Sequence, residues 1–203
     1  MQELYPFVKA IDFTKKLERG PFKAGRPLGV TVHYTGDGSL KQAKEALTTI
    51  GYHVLIDFDG TIVQLARLDQ RVDHAGKAMW LGRSPNKHHI AVAVIGWGLL
   101  EEKEVTVTDA DGKTTKVKKL YNYVGGEIDR EAAAFRNGHW WHAATAPQER
   151  ALLSFLRWCV RICKISPADV CGHDECALPK NRKVDPGGAL SLSMAQHRAE
   201  LAT

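Results

Sequence analysis

The sequence predicts an α/β fold: a single domain with a central mixed β-sheet flanked by α-helices and one β-hairpin inserted into it. Three observations carry that reading. Strand-like and helix-like segments alternate along the chain, as they do when helices cover a sheet. The stretch "HHIAVAVIGWG" holds a nearly continuous apolar run from Ile90 to Ile95, the pattern of a strand covered on both faces. A length of 203 residues suits one core.

Residues 1–26 read as an irregular N-terminal arm ending in "RGPFKAGRP", where Gly and Pro punctuate, and residues 27–203 as the domain proper. "LGVTVHYTG" is a short β-rich run whose end carries His33. "SLKQAKEALTTIG" follows as a helix, with Ser39 as N-cap and Gly51 as its stop. In "YHVLIDFDGTIVQLA" two β-branched runs flank Asp59-Gly60, a strong hairpin signal. Residues 100–124 alternate Val and Thr with charges around Asp111-Gly112, which predicts the exposed, inserted hairpin. The segment "DREAAAFRNGHWWHAATAPQER" shows no clear period, and its HWWH pair, His139 and His142, is read as packing. Pro147 opens a helix expected to reach Lys164, "VCGH" is a short strand leading to His173, and a last helix covers about 191–201.

Composition narrows the function classes. Hydrophobic residues make up 44% and charged residues 25%, ordinary globular usage. No apolar run approaches the roughly 18 residues of a membrane span, and the charged N-terminus does not resemble a signal peptide. The chain is therefore expected to be made in the cytoplasm. Its net charge of +5 and pI near 9.0 favour an anionic partner without naming one. The basic "KTTKVKK" of the hairpin could meet a polyanion, but a solvated hairpin face explains it as well. All four cysteines fall between Cys159 and Cys176. Cys159 and Cys163 stand one helical turn apart among apolar residues, which favours buried thiols over a disulfide or structural zinc site.

Two strand-like runs end in histidine, "VTVHYTG" at His33 and "VCGHDEC" at His173. One such histidine is commonly a satisfied core residue. Two that could meet at one sheet edge, with a carboxylate close by before Pro-Gly, point toward a metal. Catalytic zinc takes three protein ligands, often two His and a carboxylate, and keeps one position open. The stretch "HDECALPKNRKVDPGG" offers several candidates for the third.

In order, "VHYTG", "GYHVLIDFDGTIVQLARLDQRVDHAG", the central apolar strand ending in Gly, and "GHDECALPKNRKVDPGG" resemble the zinc-dependent N-acetylmuramoyl-L-alanine amidases, whose fold is shared by phage lysozyme-type amidases and peptidoglycan recognition proteins. The resemblance runs from about Leu28 to Gly188. It implies one zinc ion, with His33 and His173 as ligands. The third, a Cys or Asp according to subfamily, falls on Asp185, because the family places it shortly after a Lys separated by one residue, here Lys183. Cys176 is the competing ligand. Residues two apart in an extended chain share a side, so Lys183 and Asp185 can face one pocket. The resemblance further implies Lys183 and Tyr52 as catalytic groups, Lys183 for the oxyanion, and His74 and Asn86 as substrate contacts. His53 alternates to the opposite face from Tyr52 and is not counted as a ligand.

One departure stands out. The recycling subfamily carries a Glu in the central strand as proton acceptor, where this chain has Ala93. The proton must then go to Tyr52, to zinc-bound hydroxide or to an acid elsewhere. The implied activity is hydrolysis of the amide between N-acetylmuramic acid and L-alanine in peptidoglycan, as a monomeric phage endolysin made in the host cytoplasm and acting on the wall after release. A muropeptide-recycling amidase and a non-catalytic peptidoglycan-binding module are the alternatives. A Cys/His zinc knuckle on nucleic acid fits poorly, since no CxxC pair is present, and no nucleic acid is expected as partner.

Overall fold

The computed structural model describes residues 3–14 and 16–203. Along the chain run β1 (Ala10–Ile11), β2 (Glu18–Pro21), β3 (Gly29–Tyr34), α1 (Leu40–Ala46), β4 (Val54–Ile56), β5 (Ile62–Gln64), β6 (Gln70–Val72), α2 (Pro85–His88) and β7 (His89–Val94). The second half adds β8 (Leu99–Thr108), β9 (Thr114–Tyr121), β10 (Glu127–Ile128), β11 (Ala133–Arg136), β12 (His139–His142), α3 (Ala146–Arg161), β13 (Val170–Gly172), α4 (His173–Cys176) and α5 (Met194–Leu201).

Six strands in the order β1-β5-β4-β7-β3-β13 form a mixed sheet, parallel except where β4 meets β5. That antiparallel pair is the hairpin expected at Asp59-Gly60. Gly60 takes φ +82°, open to glycine at little cost, and Asp59 Oδ1 accepts from Thr61 N at 2.7 Å.

β7 lies between β4 and β3, and every residue in it is buried. Its two faces differ in size. Ile90, Val92 and Val94 pack with Leu152, Phe155 and Leu156 of α3, whereas Ala93 packs with Leu55, Leu65 and Ala43 on the other side. The bulky face seals the helical layer, and the small face leaves room for the rings of the site described below. Helix α3 is fixed at its start by a capping box between Thr145 and Gln148. Gln148 also donates from Nε2 to the carbonyls of Ile56 and Ile95 at 3.1 and 2.8 Å, tying the helix to two strand ends.

The arm is not irregular. Its β1 pairs with β5 and its β2 with β6, and Tyr5, Leu17 and Phe22 are buried. Helix α1 stops at Ala46, short of the expected Gly51, where Thr48, Thr49 and Ile50 bring β-branched side chains that lose rotamer freedom in a helix. Helix α3 ends at Arg161 rather than Lys164, which has φ +56°. All four cysteines are free and buried.

The inserted hairpin is part of a larger element. β8 and β9 pair over eight positions around Asp111-Gly112, and β10, β12 and β11 extend them into a five-stranded antiparallel sheet of order β10-β9-β8-β12-β11. Its lysines face glutamates: Lys116 meets Glu104 at 2.8 Å, Lys118 meets Glu102 at 3.1 Å and Lys119 meets Glu127 at 2.9 Å. The hairpin is a charge-paired, solvated face rather than a basic stripe.

Two histidines are core residues. His53 donates from Nε2 to Gln70 O at 2.8 Å and accepts at Nδ1 from Ala91 N at 2.9 Å, a pattern only the neutral ring satisfies. Burial holds His53 down to about 4 and His89 to about 3. Depressed values mean that these rings favour the fold above the unfolded histidine range near 6.5 and cost stability as pH falls below it. Each should remove about 1.4 kcal/mol per pH unit between about 6.5 and 4. Thermal unfolding measured across that range should show His53→Gln flattening the slope, while an unchanged slope would contradict the assignment.

Candidate metal centre

The register of two parallel strands builds the first half of the site. β13 pairs with β3 so that Val32 faces Gly172, and the next residue in each segment is a histidine, His33 still in β3 and His173 the first residue of α4. His33 and His173 thus emerge side by side at the carboxyl ends of adjacent parallel strands, where open α/β sheets place their ligands. Their ring centroids lie 4.6 Å apart. The third group arrives on the loop before Pro186, whose position is held by Asp174 N donating to Asp185 O at 2.7 Å. Asp185 Oδ2 then lies 2.9 Å from His33 Nδ1 and 3.0 Å from His173 Nδ1. One donor atom from each of the three buried residues falls within 4.8 Å of the others, a group that could hold a metal ion.

The hydrogen bonding around the cluster calls for a cation. Among the described residues His173 Nε2 faces only a carbonyl, Ala75 O at 3.0 Å, so that nitrogen must donate. In the neutral ring Nδ1 then points a lone pair at a carboxylate oxygen, an arrangement that a proton or a metal ion between them would turn from repulsion to attraction. Burial keeps the His33 imidazole below its ordinary value, which favours the neutral ligand form. For Asp185, burial alone would raise the carboxyl, but the hydrogen bonds from His173 and His33 outweigh it and hold the group well below the usual carboxylate range. Two neutral imidazoles and a carboxylate are the donor set of a catalytic zinc site.

His74 stands behind this set. Expected as a contact in the substrate groove, it is 5% exposed in the wall of the pocket that covers the cluster, and its Nδ1 lies 3.0 Å from His33 Nε2. Asn86, the other expected contact, supports the 74–76 loop: Oδ1 accepts from His74 N at 3.0 Å and Ala75 N at 2.8 Å, and Nδ2 donates to Gly76 O at 2.9 Å. If His33 Nδ1 binds a metal, its proton must sit on Nε2 and be donated to His74 Nδ1. The proton of His74 then sits on Nε2, which is buried without a partner among the described residues. Outer-shell acceptors of this kind fix the tautomer and typically carry 10- to 100-fold in metal affinity. His74→Phe should therefore weaken metal binding about 10- to 100-fold in chelator competition. His74→Asn, whose amide oxygen can replace Nδ1 as acceptor, should recover most of it.

The pocket over the cluster encloses about 360 Å³ and includes Tyr34, Tyr52, Arg182 and Lys183 in its walls. The Tyr52 ring lies 5.2 Å from that of His33. Burial, with added repulsion from Asp185 and Asp37, pushes its phenol far above the ordinary value. At neutral pH the phenol is therefore protonated and can donate a hydrogen bond. Ala93 is fully buried opposite His33 across the β3–β7 ladder, and it brings no carboxylate to that position. Lys183 is exposed at the rim. Cys176 is outside the cluster, its Sγ 3.6 Å from His173 O. Arg182, unremarked in the sequence, staples two loops: its Nη2 donates to Ala75 O and Lys77 O at 3.0 and 2.9 Å, and its Nε to Leu178 O at 2.8 Å. Only its position beside Lys183 hinted at a role.

The sequence profile of the N-acetylmuramoyl-L-alanine amidase family matches residues 23–188. No curated protein matches in sequence. Among solved structures, AmpD, as its selenomethionine derivative, shares 20% identity at a TM-score of 0.58, over 100% of this chain and 98% of that one. AmiD from E. coli, in complex with anhydro-N-acetylmuramic acid-L-Ala-D-γ-Glu-L-Lys, shares 19% at 0.59, over 91% of this chain and 61% of that one. The endolysin amidase LysCS from Clostridium intestinale URNW shares 15% at 0.55, over 99% of each chain. At these identities the likeness is one of fold.

Proposed function

The chain belongs to the N-acetylmuramoyl-L-alanine amidase family, and on that premise we propose that it hydrolyses the amide between N-acetylmuramic acid and L-alanine in peptidoglycan with one zinc ion held by His33, His173 and Asp185. The observation that carries this reading is the meeting of both Nδ1 atoms on Asp185 Oδ2, at 2.9 and 3.0 Å, inside a pocket. When bound, zinc supplies Lewis acidity toward the scissile carbonyl and toward the attacking water. The protein supplies the rest. His74 and Ala75 O hold the two imidazoles in their ligand tautomers, the neutral Tyr52 phenol offers a hydrogen toward the oxyanion, and the Lys183 ammonium adds charge where negative charge develops.

A lytic role on intact wall, after synthesis in a host cytoplasm, is the reading favoured here over muropeptide recycling. It is supported by a tyrosine beside the metal cluster and an alanine where the recycling enzymes carry glutamate. Mass spectrometry of purified peptidoglycan after digestion tests both the bond and the role. Free L-alanine amino termini on intact sacculi are expected, and cleavage confined to small soluble muropeptides would favour recycling. A zinc-loaded protein that binds muropeptide without cutting it would replace the hydrolase with a recognition module.

Lys183→Ala separates the roles. Loss of one preorganised oxyanion donor costs about 10²- to 10³-fold in kcat in well-studied cases. Exposed at the rim, Lys183 should give about tenfold to a hundredfold, with metal content unchanged. Wild-type turnover in this variant would remove the oxyanion assignment.

A further inference from the structure

The inserted sheet does more than shield one end of the domain, because its base reaches the rim of the metal pocket. From His33 the chain runs through Tyr34 and Thr35, both lining the pocket, to Gly36, Asp37 and Gly38. Gly36 is three residues from His33, at most about 10 Å of extended chain. Two aromatic side chains cover the two glycines. A Cβ on Gly36 would stand 3.7 Å from Tyr123 Cε1, and one on Gly38 would stand 2.7 Å from Trp97 Cζ2. The rings of Trp97 and Tyr123 meet edge to face, 6.0 Å apart at 65°.

Beyond these contacts the Tyr123 ring is open to solvent. It is 72% exposed, on a turn held by Asn122, whose Oδ1 accepts from Val124 N at 3.1 Å and Gly126 N at 2.8 Å. Between the two covered glycines sits Asp37, half-buried, with no ion pair among the described residues. Burial raises its carboxyl above the ordinary value.

We propose that Trp97, Tyr123 and Asp37 form a subsite for a sugar ring of the glycan strand, a specificity element that the inserted sheet adds to the amidase site. The proposal rests on the amidase reading, since the amide cut hangs from the sugar by a short lactyl arm and the ring must therefore lie at the rim of the metal pocket. The chemistry selects a sugar over the stem peptide. A pyranose offers an apolar C–H face to an aromatic ring and hydroxyl donors to a carboxylate, whereas the acidic groups of a stem peptide are repelled by Asp37 and drawn instead to Arg182 and Lys183 on the 182–185 segment.

The test uses zinc-loaded full-length protein and two probes: glycan strands stripped of their peptides, and intact peptidoglycan. Tyr123→Ala should weaken binding of the stripped strands at least fivefold by calorimetry and raise KM on peptidoglycan. Tyr123→Phe, which keeps the ring, should bind like wild type, and Asp37→Asn should weaken binding less than Tyr123→Ala. Metal content and melting temperature serve as controls on folding. Wild-type binding of stripped strands by Tyr123→Ala, alongside normal cleavage of peptidoglycan, overturns the subsite while leaving the amidase reading intact. Glycan binding that depends on Tyr123 in a protein that cuts nothing would uphold the subsite and bring down the hydrolytic reading.

Discussion

Asp185→Ala is expected to lose zinc and hydrolytic activity together while keeping its fold. Asp185 contributes the one anionic donor in the cluster, and both imidazole Nδ1 atoms converge on its Oδ2. Without it two neutral rings remain, one ligand short of a catalytic zinc site. The loss of affinity should exceed the 10- to 100-fold typical of an outer-shell partner. The backbone has no such dependence, since the bond from Asp174 N goes to the Asp185 carbonyl, which alanine retains. Metal analysis after dialysis and circular dichroism check the two halves. An Asp185→Ala protein that kept one zinc would refute the ligand assignment, and one that unfolded would show the carboxylate to be structural. Asp185→Asn, with nearly the same shape and no charge, should lose most of the zinc as well.

Metal removal should produce the second large effect, on stability. A ligand that binds only the folded state adds about 4.1 kcal/mol when present at 1,000 times its Kd. For a chain of this size each kcal/mol moves the melting temperature by roughly 2 to 4 °C. Chelation should therefore lower Tm by about 10 °C or more, and added zinc should restore it. The same treatment should leave the Tm of Asp185→Ala unmoved. The pH dependence follows from the ligands: His33 is depressed by burial, so its contribution is present above the unfolded histidine range near 6.5 and declines as pH falls below it. A protein whose Tm ignored both chelator and zinc would have no metal-linked stability.

What the sequence made legible was whatever rests on local pattern. The apolar run of β7, the Asp59-Gly60 turn and the Pro147 start of α3 each carry their cause within a few residues. His33 and His173 were legible because strand-ending histidines in parallel neighbours meet when the register is right, and the register of β3 with β13 is set by the buried residues preceding them. The strands within the 129–150 segment were opaque for the opposite reason. β11 and β12 are four residues each and owe their conformation to pairing with each other and with β8, not to any period of their own. The arm misled similarly, since Leu17 is buried by Leu47, Leu65 and Val72 from distant segments. His74 lay beyond sequence reasoning in a different sense. Its motif placed it near the site, but its hydrogen bond to His33 depends on the 74–76 loop, which the three hydrogen bonds of Asn86 fix.

The most direct measurement is a zinc anomalous difference map from a crystal of the metal-loaded protein. The account predicts one strong peak within about 2.0–2.2 Å of His33 Nδ1, His173 Nδ1 and an Asp185 carboxylate oxygen, with a position left open toward the pocket. A peak on Cys176 instead of Asp185, or none at this cluster in a protein that still cuts peptidoglycan, would contradict it.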